Sequence, residues 1–234
     1  MTEITSSSGS SLISTSTDSV FESAGSSFYN NIIMSDKGAA LINAYAATVN
    51  IANSNFHTNT LSGTDISLLL ASGSTFALNS STIENNIYVD TLVKVHNGSN
   101  VTISDSTFKN NSSTAADNKE ISVNASNLTV KNTEFLSENA SSDLKTVIMA
   151  YGGSNLTVEK SKFTGALNTQ AINYYNGLGT NSVVISDSEF SNFALDNYHG
   201  TVVFGADAGE SSIINSKFSD DAGKTFFGSS EINV

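Results

Sequence analysis

The chain predicts an all-β fold, a right-handed single-stranded parallel β-helix (solenoid) of about eight three-stranded coils of about 27 residues each. Three observations carry that prediction. A short phrase returns from end to end: two apolar residues two apart, then a Ser or Thr, then an aromatic. It is plainest in VTISDSTF (Val101 to Phe108), LTVKNTEF (Leu128 to Phe135), LTVEKSKF (Leu156 to Phe163) and VVISDSEF (Val183 to Phe190). The closing positions Phe28, Phe56, Ile83, Phe108, Phe135, Phe163, Phe190 and Phe218 are spaced by 28, 27, 25, 27, 28, 27 and 28 residues. Finally, 38% of residues are hydrophobic and only 14% charged, so Ser, Thr and Asn supply the polarity. Such short side chains compete with helical hydrogen bonds and tolerate a pleated surface.

The first strand of each unit follows from the positions seven and five before the closing residue. They hold Val49 and Ile51, Phe76 and Leu78, Val101 and Ile103, Leu128 and Val130, Leu156 and Val158, and Val183 and Ile185. Apolar residues at period two in a short β-branched run mark a strand with one face buried. A polar corner comes next, as in Ala52-Asn53, Ser104-Asp105 and Ser186-Asp187, too short to reverse the chain. The strand therefore bends and continues. Two residues before the closing position stands Ser26, Ser54, Ser81, Ser106, Thr133, Ser161, Ser188 or Ser216, a hydroxyl in every copy, which predicts a stacked column.

A third strand lies 12 to 16 residues upstream of each closing residue: Leu12-Ile13, Leu41-Ile42, Leu68 to Leu70, Leu92-Val93, Val147-Ile148, Ala171-Ile172 and Val202-Val203. Three strands per unit predict a triangular coil, and eight coils about 4.8 Å apart a rod of roughly 40 Å. Because Leu12-Ile13 keep the offset, residues 1–20 belong to the first coil rather than to a tail. Small residues before the first strand (Ala46, Gly73, Gly98, Ala125, Gly153) mark a second corner. Asn31, Asn59, Asn86 and Asn111 stand three places after their closing residues and predict an amide ladder. Later copies carry Glu138, Ala166, Phe193 and Asp221 there, so the later coils are expected to turn differently. The final FFGSSEINV reads as the start of another coil.

A repeat running the full length makes residues 1–234 a single domain, expected to be a piece of a longer surface protein. Cys, Pro, Trp and Arg are all missing; without Cys there is neither a disulfide framework nor a thiolate metal site. Net charge is −12, from 22 acidic residues against 10 Lys. Such a field repels nucleic acid and anionic membrane, and no apolar run is long enough for direct membrane insertion. The N-terminus lacks a signal-peptide pattern.

The FxxN element of FYNN (Phe28 to Asn31), FHTN (Phe56 to Asn59) and FKNN (Phe108 to Asn111), with the looser TIENN (Thr82 to Asn86), resembles the passenger regions of polymorphic outer-membrane proteins and autotransporter adhesins. Gly38-Ala39-Ala40-Leu41 approximates a second element of that family. The resemblance spans nearly the whole chain. It implies a right-handed parallel β-helix, extracellular or at the cell surface, that adheres to a host or matrix glycan or protein, or to its own copies.

The rival expectation is a polysaccharide-active lyase or hydrolase, because β-helices of the pectin-lyase type include such enzymes. Against it, coil length varies by only three residues, leaving no insertion to wall a cleft. The acidic residues Asp105, Asp187, Glu189 and the pair Asp220-Asp221 read as corner or solvated polarity. His57, His96 and His199 sit at unrelated repeat offsets, so no metal or cofactor is expected. A phage or virion spike segment is a third expectation, marked by trimerisation. The binding candidates are Tyr45, His96, Tyr151 and Tyr175, which fall near one another in their repeats at the end of the third strand. Rings along one edge of a solenoid could stack on sugar faces.

Overall fold

The computed structural model describes residues 3–6, 10–35, 38–116, 118–137, 144–175, 182–195, 199–205, 209–222 and 224–228. Among them the regular elements are all strands, and successive strands of each sheet pair in parallel across coils. One sheet has nine strands, from Ile13–Thr15 to Lys224–Gly228. Two more have eight each, running from Val20–Ala24 to Glu210–Ile214 and from Ser27–Tyr29 to Lys217–Ser219. Seven steps between eight rungs give a solenoid of about seven turns. At about 4.8 Å per step the stack is roughly 34 Å tall.

The register is the one the repeat spacing predicts. Val49, Phe76, Val101, Leu128, Leu156 and Val183 are successive neighbours, and so are the closing residues from Phe28 to Phe218. The apolar pairs and the closing residues Phe56 to Phe190 are buried. Phe rings of adjacent rungs stack with centroids 4.7–4.9 Å apart, and Ile83 divides the column in two. Burial of each such ring contributes about 1.5–3 kcal/mol.

The bend between the two eight-stranded sheets has a backbone cause. Gly25, Asn53, Ser80, Asp105, Asn132, Lys160, Asp187 and Asn215 all adopt left-handed conformations, with φ between 46° and 63°. Gly, Asn and Asp take that conformation most readily, which is why they dominate the corner. One residue later the hydroxyl column locks the bend. Its hydroxyls accept from the backbone N–H of the preceding rung at 3.1–3.2 Å. They also donate to the carbonyl two residues back at 2.7–3.0 Å.

Among the described residues, three strands per coil hold only for the C-terminal half. A fourth, five-stranded sheet formed by Glu3–Ser6, Ile32–Ser35, Thr60–Gly63, Ile87–Tyr88 and Ser112–Ser113 gives the N-terminal coils a fourth side. The Asn ladder marks its edge. Asn31, Asn59, Asn86 and Asn111 are buried and immediately precede strands of that sheet. Each Oδ1 from Asn59 onward accepts from both the backbone N–H and the Nδ2 of the preceding Asn, at 2.9–3.1 Å. These polar corners sit inside the coil, so the backbone leaving them can pair once more.

Where Asn is lost the turn changes, as expected. Glu138 lies outside the described residues. Phe193 is fully buried and leans over Gly165, where a Cβ would stand 2.3 Å from its ring. Isolated bridges Leu167 to Ala194 and Ala194 to Ala222 replace the fourth strand. At the last rung Asp221 resumes the ladder role, its Oδ1 accepting from Phe193 N–H at 3.0 Å. Its partial burial corrects the expectation of a solvated Asp220-Asp221 pair. The expected further strand exists at Lys224–Gly228, paired with Gly200–Phe204, and Phe226 meets Phe218 edge-on.

Candidate functional site

The four ring residues singled out in the sequence occupy one column on the outer face of the nine-stranded sheet. Tyr45 and His96 both pair with Ser72. Continuing the register from Val95 and Val123 places Asn124 beside His96, and Asn124 pairs with Tyr151. Tyr175 follows Tyr151, tied by a hydrogen bond from its N–H to Ala150 O at 3.0 Å. Ser72 and Asn124 therefore interrupt the column. Only Tyr151 and Tyr175 meet, with centroids 5.7 Å apart and ring planes 9° from parallel.

The other two are separate. Tyr45 is 59% exposed and stands two rungs from His96. Partial burial, and then the charge of Lys94, lower the His96 pKa, and Asp65 only partly opposes them, which keeps the ring neutral at pH 7. Its Nε2 is buried with no hydrogen-bond partner.

Beside the tyrosine pair lies a depression of about 240 Å³ that sequence reading did not find. It is lined by Asp90 and Lys94 of one coil, Lys119 of the next, Met149 and Tyr151 of the third and Tyr175 of the fourth. Lys94 pairs with Asp65, and Lys119 Nζ stands 3.4 Å from Asp90 Oδ1. These groups are dispersed in the sequence, and only the coil register collects them. A second ring pair was also overlooked: Tyr29 and His57 stack at 5.2 Å and 2° on another sheet. Their common place, one residue after a closing Phe, was the signal available in the sequence.

A larger, open groove of about 830 Å³ runs over Thr102, Asp105, Thr129, Lys131, Asn132 and Glu159. Its charges are already engaged. Lys131 lies 3.2 Å from Glu159 and, with Lys160 at 3.5 Å, holds that carboxyl below its usual value. Asp105 accepts from Asn132 Nδ2 at 2.6 Å. The groove's two carboxyls, Asp105 and Glu159, are thus both held by neighbouring donors, Asn132 for the first and the lysines for the second. Among the described residues, no group of three or more His, Asp or Glu is placed to hold a metal ion. No helix there is long and apolar enough to cross a membrane.

Among the described residues, the most buried ion pair is structural in position. Lys145 enters the corner where the fourth sheet ends, its Nζ 3.2 Å from Glu120 Oε1 and 3.0 Å from the Asn111 carbonyl. Tyr88 Oη stands 3.4 Å from Asn118 Oδ1 nearby, and burial, followed by the charges of Glu120 and Asp90, pushes that phenol well above its ordinary pKa.

No family model matches the chain, and no curated protein does. Among solved structures it is similar to QnrB1, a plasmid-mediated fluoroquinolone resistance protein, at 14% identity and a TM-score of 0.17, covering 87% of this chain and 91% of that one. It is likewise similar to a TibC-catalyzed hyper-glycosylated TibA fragment, at 12% identity and a TM-score of 0.14, covering 97% and 100%. Neither likeness is strong enough to bear on function. The strand pairing itself assigns the fold: the chain is a parallel β-solenoid.

Proposed function

We propose that this chain is a cell-surface or secreted adhesin-type module, of the kind that autotransporter passengers carry, and that it binds its partner along the rod. The observation behind the reading is the stack of half-buried Tyr151 on exposed Tyr175 beside a polar depression on an outer sheet face. Stacked aromatics with a few polar groups around them suit a recognition surface. The neighbouring outer faces carry uncharged ladders, such as Asn155 Nδ2 donating to Asn127 Oδ1 at 2.8 Å, which suit contact with a hydroxyl-rich partner.

A glycan and matrix-protein binding array with the purified chain, run beside a reducing-end release assay on the same polysaccharides, tests this. Binding without release is the expected result. Release of new reducing ends would replace the adhesin with a polysaccharide-cleaving enzyme.

A further inference from the structure

We infer that the depression beside Tyr151 and Tyr175 is a subsite for a neutral pyranose-containing glycan; the inference rests on the adhesin reading and names its ligand class. Three observations point there. The rings lie parallel in consecutive rungs, so their planes cross the rod axis and form a ledge. The C–H face of a pyranose packs on such a ring, burying apolar surface while its hydroxyls stay free for polar partners. Met149, two residues before Tyr151 on the same outward face of the strand, extends the apolar floor.

The polar partners are at hand and locally balanced. Lys94 is paired with Asp65, and Lys119 with Asp90, so the depression presents donors and acceptors with little net charge. A hydroxyl can donate to Asp90 and accept from Lys119 without separating them. A uronate or sulfated sugar would have to displace a carboxylate from its lysine, and would do so against a net charge of −12. Both considerations select neutral sugars. The lining spans four consecutive strands of the sheet, roughly 14 Å at about 4.8 Å per step. That length leaves room for a pyranose stacked on the ledge and for the polar groups that meet its hydroxyls.

The test is titration calorimetry of the intact chain with neutral gluco-, manno- and galacto-oligosaccharides, set against oligogalacturonate as the acidic probe. The expected result is binding of at least one neutral series, little changed by added salt. Tyr151→Ala and Tyr175→Ala are each expected to weaken it by about tenfold or more. Tyr151→Phe keeps the ring and is expected to keep most of the affinity, and Tyr29→Ala, on a different sheet, all of it. Circular dichroism of each variant confirms that the solenoid is intact. Preference for oligogalacturonate with steep salt dependence, binding indifferent to both Ala variants, or no binding of any neutral series would each overturn the subsite. If the subsite fails while the chain still captures a matrix protein or its own copies, the adhesin reading survives alone. Release of reducing ends would remove that reading even where Tyr151 proves essential.

Discussion

Lys145 closes the asparagine ladder through Glu120. Its Nζ stands 3.2 Å from Glu120 Oε1, and the same oxygen lies 3.5 Å from Asn111 Nδ2 at the last rung of the ladder. Both side chains are almost wholly buried, and Glu120 replaces an aliphatic residue in the column that holds Leu92 and Val147. A buried pair is poor evidence of net stabilisation, but removing one partner strands the other charge. Lys145→Met should therefore destabilise the chain by about 3–5 kcal/mol. The double variant Lys145→Met with Glu120→Leu should recover most of the loss. Chemical denaturation of the two variants and the parent decides the point; equal stability of single and double variants would show that the pair is not coupled.

The ladder has a direction, and so should its mutational costs. Asn86 Oδ1 accepts from Asn59 N–H and Nδ2, and Asn86 Nδ2 donates to Phe56 O. Asn86→Ala leaves those buried groups unmatched, at about 3 kcal/mol or more. Among the described residues, Asn31 is the first rung, and its side chain donates to Asn59 Oδ1. Asn31→Ala should cost about 1 kcal/mol. Unfolding midpoints of the two variants measure the asymmetry, and equal losses would mean that the ladder is not cooperative in this sense.

Much of this fold was legible because inward positions repeat in kind. Phe135, Phe163 and Phe190 announce one column by chemistry as well as spacing, and the hydroxyls of Ser161 and Ser188 do the same one strand-turn earlier. The fourth sheet was not legible, because its strands are short and unlike: Thr60–Gly63, Ile87–Tyr88 and Ser112–Ser113 share no apolar pattern. They are defined by the Asn corner before them rather than by their own side chains. The site was legible by halves. Tyr151 and Tyr175 both stand at the end of a third strand, 12 and 15 residues before their closing Phe, whereas Asp90, Lys94 and Lys119 line the depression from outward positions that the core does not constrain.

Thr58 holds a strained place in an otherwise regular corner. Asn30, Asn85 and Asn110 adopt φ of 53–54° there, and Thr58 adopts 58° with a branched side chain. Left-handed backbone costs an ordinary L-residue about 1–2 kcal/mol, and Asn less. Thr58→Asn should raise stability by about 1 kcal/mol, and Asn85→Thr should lower it by a similar amount. Thermal unfolding of both variants checks the reciprocity. A loss in Thr58→Asn would instead credit the contact between Thr58 Oγ1 and His57 Nδ1 at 3.2 Å.

Asp221 gives the solenoid a pH dependence that can be worked out in sign. Its carboxyl takes the place of the ladder amide, accepting from Phe193 N–H at 3.0 Å and from Thr201 Oγ1 at 3.1 Å. Burial raises its pKa above the ordinary 3.8, the two hydrogen bonds oppose the rise, and Asp220 adds to it. A carboxyl whose folded value is raised holds its proton more tightly in the native state. Its contribution is therefore most favourable below the unfolded value and is lost as pH rises through the folded one. Asn at this position keeps an acceptor for Phe193 and can donate to Thr201 without carrying charge. Asp221→Asn should thus be the more stable protein at neutral pH, with its advantage shrinking as the pH falls through the raised folded value and levelling off below the unfolded value of about 3.8. Melting curves of the two proteins across that range decide it. An advantage that instead grew on acidification would mean that the ionised carboxylate, and not its proton, is what the last rung stabilises.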